Sequence, residues 1–390
     1  MTSPTQPSLF ELFGSFFRLG LTAFGGPSMV AYIRKLAVDQ KSWLDKETFN
    51  QGVALCQMIP GATAMQTAAF VGLRTRGVPG AAASFIGFGL PAFLIMMVAA
   101  AAYTYAHSMP VVISAFSGLQ AIIVTLIANA TLSFGRTTLK SWQHFAIAGA
   151  AAALFGLNVN PVIVIMAAAV GGLVLIRSKS NQPTTDTDPS PTQVQSTTRS
   201  IVRIFGAVVL GLVLLFFLQR DGFNLSTLFL RIDLFAFGGG FASVPLMYHE
   251  VVDVRQWMDS ATFLNGIALG QVTPGPIVIT ATFIGYLLYG LWGGILATIS
   301  IFLPSFILVV GIAPYFDRLR SSAYFNQVIL GVLCSFVGLL FTVTLRFAWN
   351  VNWDIPHILL AFAALIALLL KTDILWVVIA GILFSVFLLR

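Results

Sequence analysis

The chain alternates long apolar runs with short polar stretches. About eighteen to twenty-five apolar residues cross a bilayer as a helix. By that measure the first half predicts segments near 9–24, 80–106 and 110–135, closed by two shorter runs at 143–157 and 159–176. Between the first two lie a polar amphipathic stretch from Pro27 to Glu47 and a broken apolar segment at 48–73. From Arg177 to Arg199 the sequence turns to Ser, Thr, Pro, Gln and Asp, the composition of a flexible exposed linker. A clean span at 201–219 follows. The order of the first half then recurs near 225–237, 262–289, 291–316, 325–347, 356–370 and 373–389.

The recurrence is a duplication. Arg18 and Arg231 stand 213 positions apart, as do Phe24 and Phe237, Gly25 and Gly238, and Gly26 and Gly239. After one inserted residue the offset is 214 for Asp39 and Asp253, Trp43 and Trp257, Gln57 and Gln271, and Pro60 and Pro274. It returns to 213 for Gly72 and Gly285, Gly77 and Gly290, and Pro91 and Pro304. So many matched Gly, Pro and Trp mark a repeated unit. One odd helix between two even halves turns the second half over. The predicted fold class is an all-α polytopic membrane protein with two homologous inverted-repeat halves of about six transmembrane segments each. These have broken helices at Pro-Gly and are joined by a linker and one extra helix, about 13 segments in all. The corresponding division is an N-terminal repeat at 1–176, a linker at 177–200, a connecting helix at 201–219 and a C-terminal repeat at 220–390. Lys and Arg favour the cytoplasmic loops when the N-terminus is placed inside.

One stretch occurs in both halves: Ala54-Leu-Cys-Gln-Met-Ile-Pro-Gly-Ala62, then Ala268-Leu-Gly-Gln-Val-Thr-Pro-Gly-Pro276. Proline lacks an N–H and pushes the preceding residue out of the helical region. A helix is therefore expected to stop near Ile59 and Thr273, and a new one to begin at the proline or glycine. Its orphan N–H groups and positive dipole end make an anion site inside an apolar layer. A single Pro-Gly in a membrane helix is more often only a kink. Recurrence in register is what favours the site, because repeat-built transporters bind substrate between broken helices at corresponding positions.

Composition narrows the class. Hydrophobic residues make up 57% of the 390 and charged residues 9%, with a mean hydropathy of +0.90. A soluble domain would have to expose that apolar surface. The polar start and the charges Glu11 and Arg18 in the first apolar run argue against a cleaved signal peptide. Cys56 and Cys334 read as small core residues. The formal charge of +7 fits loops against anionic lipid, so the lipid bilayer is a partner and nucleic acid is not. No Walker-type loop, His-Glu-x-x-His, Gly-x-Ser-x-Gly or carboxylate pair within a span appears, so neither an enzyme, a cofactor nor a metal is expected.

Phe24-Gly-Gly-Pro27, Trp43-Leu44, Leu55-Cys-Gln57, Pro60-Gly61 and Leu90-Pro91 occur in the first half. The second has Phe237-Gly-Gly-Gly240, Glu250-Val-Val252, Trp257, Gly270-Gln271, Thr273-Pro-Gly-Pro276, Thr282-Phe-Ile-Gly285 and Leu303-Pro-Ser305. In these residues the chain resembles the chromate ion transporter (CHR) family in its long, two-domain form, over nearly its whole length except the linker. The resemblance implies a multi-pass inner-membrane protein that moves chromate out of the cell, with sulfate as a chemically similar oxyanion. The absence of a nucleotide-binding loop adds that an ion gradient drives it. Another anion or a small organic acid is the alternative cargo; an intramembrane enzyme or a scaffold is the competing class. A homodimer is left open. The halves differ at two family positions: Leu36 stands where the second half has Glu250, and Ala62 where it has Pro276.

A carrier of a tetrahedral dianion replaces the water shell with donors and positive charge, which helix N-termini and Arg supply. Arg18 and Arg231, each six residues before the Phe-Gly-Gly, are candidates; the alternative is that both snorkel to headgroups. Gly25, Gly26, Gly238 and Gly239 allow close backbone approach to ligand or to a neighbouring helix. Gln57 and Gln271 carry amide donors, Thr273 a hydroxyl, and Pro60, Gly61, Pro274 and Gly275 form the breaks. Asp233, whose first-half counterpart is Gly20, and Glu250, beside His249, are proton-coupling candidates or interfacial charges.

Overall fold

The computed structural model describes residues 6–24, 28–176, 191–370 and 372–388, and every regular element among them is a helix. The first half contains α1 (Leu9–Thr22), α2 (Ser28–Arg34) with a π-helical continuation over Lys35–Gln40, and α3 (Lys46–Met58). It continues with α4 (Thr63–Ala106), α5 (Pro110–Thr138), α6 (Trp142–Gly156) and α7 (Pro161–Leu175). Then comes α8 (Pro191–Leu218), which begins within the stretch read as linker; residues 177–190 lie outside the described residues. The second half has α9 (Arg220–Phe235), α10 (Ser243–Tyr248) with a π-helical continuation over His249–Val254, α11 (Ser260–Val272) and α12 (Thr280–Ile312). It ends with α13 (Phe316–Ser321), α14 (Ala323–Asn350), α15 (Ile355–Leu369) and α16 (Ile374–Leu388).

Local chemistry repeats with the fold. Asp45 Oδ1 accepts the Thr48 N–H (2.8 Å) at the head of α3, and Asp259 Oδ1 accepts the Thr262 N–H (2.7 Å) at the head of α11. Each satisfies a donor that a helix start leaves without a partner. Five described helices are long and apolar enough to cross a membrane: residues 63–106, 110–138, 198–218, 277–315 and 323–350. The protein is a multi-pass membrane protein. Val202, Phe205, Leu210 and Phe217 of α8 are exposed, as side chains facing lipid are.

The broken segments do not run on through the layer; they turn back. Gly52 of α3 lies against the Phe70 ring of α4, and Gly266 of α11 against that of Phe283, where an added Cβ would lie 2.5 Å from Cδ1. Residues before the break therefore pack beside residues after it, so Pro60-Gly61 and Pro274-Gly275 are the tips of re-entrant hairpins. The returning arm then reverses a second time. In α4 the corner is Arg76 (φ −138°, ψ 21°) and Gly77 (φ 63°, ψ −153°); in α12 it is Tyr289 and Gly290 (φ 61°, ψ −149°). Only beyond these corners do the long spans begin. Ser84 Oγ donates to Ala68 O (2.7 Å) across the first corner, and Thr282 and Thr298 hydroxyls bond (2.7 Å) across the second.

α1 and α2 form a hairpin on the same side. Lys41 Nζ pairs with Glu11 Oε1 (2.9 Å), and Trp43 stacks on Phe16 with centroids 6.4 Å apart. Its second-half mate, α9 with α10, is closed by the Arg231–Glu250 ion pair.

The halves are inverted. Phe85 meets Phe306 (centroids 5.2 Å), and Met97 Sδ lies 2.5 Å from where a Cβ on Gly294 would be. Numbers thus rise along α4 as they fall along α12, so the two long spans run antiparallel. The last helices are exchanged between halves: α14 holds α6 and α7, and α5 holds α15 and α16. Glycines make these crossings close, with Gly338 against Ala148 O, Gly331 against Ala168 O and Gly381 against Ile122. Such small-residue contacts hold apolar helices together where the hydrophobic effect offers little.

The two ends of the bundle are now defined. Arg76 Nε donates to Pro7 O (2.7 Å), so α1 starts beside the first corner. Gly118, near the start of α5, touches Ser385 of α16 and therefore lies at the far end. Accessibility tags before Ser8 and after Phe387 are expected on opposite sides of the membrane. Labelling of both tags from one side in intact cells would contradict the inverted arrangement.

Candidate functional site

The four re-entrant arms converge between the halves. At the first tip the Gly61 N–H donates to Ala236 O (2.9 Å), just past the end of α9. At the second the Gly275 N–H donates to Ala23 O (3.0 Å), just past the end of α1. Each half therefore holds the other's tip. Both glycines sit at left-handed φ, +118° and +120°, which side chains disfavour. Pro60, Gly61, Thr273, Pro274 and Gly275 are all buried.

The glycine turn after α9 threads between the two helix starts. Gly238 and Gly239 have φ of +95° and +92°. A Cβ on Gly239 would lie 3.2 Å from Thr63 Oγ1 at the head of α4, and one on Gly240 would lie 3.0 Å from Ile277 Cγ2 on the turn that opens α12. The first-half counterparts Gly25 and Gly26 lie outside the described residues. Helix starts brought together this way gather positive dipole ends and orphan N–H groups in one place. Those of Thr63 and Ala64 have no backbone acceptor among the described residues.

Three polar side chains serve the first tip, all fully buried. Gln66 Nε2 donates to Pro60 O (2.6 Å), leaving Oε1 without a partner among the described residues. Ser305 Oγ accepts the Ala62 N–H (2.9 Å). Asp233 Oδ2 in turn accepts both the Ser305 N–H and its Oγ–H, each at 2.7 Å, while Oδ1 has no partner among the described residues. Sequence reasoning named Asp233 as a candidate, met Ser305 only within the Leu303-Pro-Ser305 motif and gave it no role, and passed over Gln66. The available signal was the mismatch of Ser305 with Ala92, its counterpart 213 positions earlier, in an otherwise matched Leu-Pro context.

The other candidates separate. Arg231 is bound to Glu250, which also faces Arg255 Nε at 3.6 Å. That pair opens on a cleft against Asn160, Pro161 and Val162 at the start of α7, away from the tips. Arg18 is exposed and makes no ion pair among the described residues, and Leu36 stands where Glu250 would face it. Gln57 is exposed whereas Gln271 is buried. The Thr273 hydroxyl is turned back onto Gly270 O (3.2 Å). His249 and Glu250, adjacent in sequence, serve different partners. His249 Nδ1 lies 3.6 Å from Asp253, whose Oδ2 accepts from Arg346 Nη1 (2.6 Å). Asp253 is therefore an internal anchor: Arg346 also donates to Phe155 O (2.9 Å) and ties the hairpin to the end of α6.

A cavity of about 420 Å³ opens at the base of the first hairpin, lined by Lys46, Glu47, Asn50, Gln51, Ala54 and Arg320. α3 leads from it to the tip at Pro60.

Residues 10–173 and 223–386 each match the chromate transporter family model, one match per half. The chain belongs to the chromate transporter family. An uncharacterised transporter of Methanocaldococcus jannaschii is 42% identical over 97% of this chain and 94% of its own length. The chromate transport proteins of Cupriavidus metallidurans and Pseudomonas aeruginosa are each 29% identical, over 95% and 91% of this chain and 90% and 85% of their own lengths. No solved structure matches. In this chromate transporter family member the paired family matches coincide with the two inverted halves.

Proposed function

We propose that this chain is a secondary transporter that carries chromate or a sulfate-like tetrahedral oxyanion outward across the cell's inner membrane, driven by an ion gradient. The observation that carries the proposal is the meeting of the two Pro-Gly tips between inverted halves, where helix starts offer N–H donors and dipole charge in a buried place. Substrate contacts are assigned to the tips Pro60-Gly61 and Thr273-Pro274-Gly275, to the glycine turns Gly25-Gly26 and Gly238-Gly239, and to Gln57 and Gln271. Arg18, free of an ion pair among the described residues, is the cation assigned to the anion's path; Arg231 is assigned to holding its hairpin closed. The names of the two chromate transport proteins support chromate as cargo. Inverted vesicles from cells producing the chain are expected to accumulate labelled chromate, with sulfate competing and acetate not. Equal competition by acetate would move the cargo to organic acids, and no accumulation would overturn the reading.

A further inference from the structure

The two tips are alike in backbone but not in what stands behind them. Behind the first stand Ser305 and Asp233; the counterparts behind the second are Ala92 and Gly20. Gly20 lies against Phe88 O, so no side chain fits there, and Ala92 lies against Gly275. An acid is present on one side of the pseudo-symmetric centre and excluded from the other.

That acid is fully buried, and among the described residues it makes no ion pair. On its own helix, Arg231 is engaged by Glu250. On α12, which packs against it, residues 291–312 include no ionisable side chain. α10 contributes only Tyr248, whose hydroxyl is hydrogen-bonded with Ser260 Oγ (3.1 Å), and its π-helical continuation carries His249 with Asp253, and Glu250 with its two arginines. On α8, Arg199 and Arg203 are exposed. The first tip presents the Gln66 amide. A buried carboxylate held only by two donors of one serine is costly, and a proton relieves the cost.

We propose that Asp233 is the proton-binding residue of this carrier and that the Ser305 hydroxyl conveys its protonation state to the first tip; the idea rests on the tips being the oxyanion site. With the carboxylate ionised, the Ser305 O–H must donate to Oδ2, and a negative charge stands two hydrogen bonds from the Ala62 amide. When the carboxylate takes one proton from the aqueous phase, one O–H bond forms, one negative charge is lost and no other bond breaks. The acid O–H then donates to Ser305 Oγ, whose own hydrogen is released to point at an oxyanion on the tip. Repulsion of the dianion falls and one donor is gained, so proton and oxyanion bind together and move in the same direction. The complex stays negative, so an inside-negative potential still pushes it outward.

The test uses purified full-length protein in detergent and in proteoliposomes. Infrared difference spectra on titration without any anion should show a protonated carboxylic-acid band that Asp233→Asn lacks. In the wild type, affinity for sulfate and chromate should rise as pH falls, and an imposed pH gradient should drive the oxyanion in the direction of the protons. Asp233→Asn, which mimics the neutral acid, should bind at every pH as the wild type does only at its acidic end, with no response to the gradient. Ser305→Ala should lose roughly tenfold in affinity, the worth of a hydrogen bond to a charged group. Wild-type pH dependence in folded Asp233→Asn, or an unchanged affinity in Ser305→Ala, would overturn the proposal. A wild type that shows the band but binds neither anion at any pH would instead sink the oxyanion reading.

Discussion

Gly61→Ala and Gly275→Ala are each expected to abolish transport and to lower the yield of folded protein. Both glycines hold left-handed φ near +120°, where an alanine is strained. Space is also lacking. A Cβ on Gly61 would run into the Ser305 side chain, and one on Gly275 would lie 2.6 Å from the Ala92 Cβ. Relief requires the tip to shift, and that breaks the N–H bonds to Ala236 O and Ala23 O that join the halves. Strain and overpacking together cost about 2–5 kcal/mol at each site. The control is Gly149→Ala on α6, where nothing lies within 4 Å and the backbone is helical. There the same change should be neutral or stabilise by up to about 1 kcal/mol. Thermal midpoints and vesicle transport would be compared across the three variants. Normal transport by either tip variant would show that the tips tolerate displacement and are not the centre of the mechanism.

Glu250→Gln is expected to produce the largest loss of stability among charge-neutralising changes. The Glu250 side chain is 7% exposed and serves Arg231 and Arg255 together. Removing one partner of a buried pair costs about 3–5 kcal/mol. Here the arginines are 43% and 30% exposed, so water screens part of the loss and about 1–3 kcal/mol is expected. Arg18→Ala should leave the thermal midpoint nearly unchanged, because Arg18 is exposed and makes no ion pair among the described residues. If Arg18 lies on the anion's path, that variant loses transport at equal abundance. The two arginines, matched in the repeat, are thereby separated by measurement: one by stability, the other by transport. A Glu250→Gln protein as stable as the wild type, or a strongly destabilised Arg18→Ala, would reverse the assignment.

Much of this was legible in the residues themselves. Apolar runs too long for a soluble domain require helices in lipid. Offsets of 213 and 214 expose the duplication, and Pro-Gly marks where each helix must stop. One odd helix, α8, predicts the inversion seen where α4 and α12 run antiparallel. What followed each stop was not legible. Proline forbids continuation but does not choose between a kink and a reversal. That choice belongs to contacts distant in sequence: Gly52 accepting the Phe70 ring, Gly72 against Gly80, and the corner at Gly77. Nor does any local pattern pair Ala62 with Ser305, 243 residues away, or give Arg231 an ion-pair partner that Arg18 lacks among the described residues. Periodicity records which residues are buried, because that depends on solvent alone. Which buried groups meet is decided only when both halves close on each other, since each tip's hydrogen bond is made by the opposite repeat.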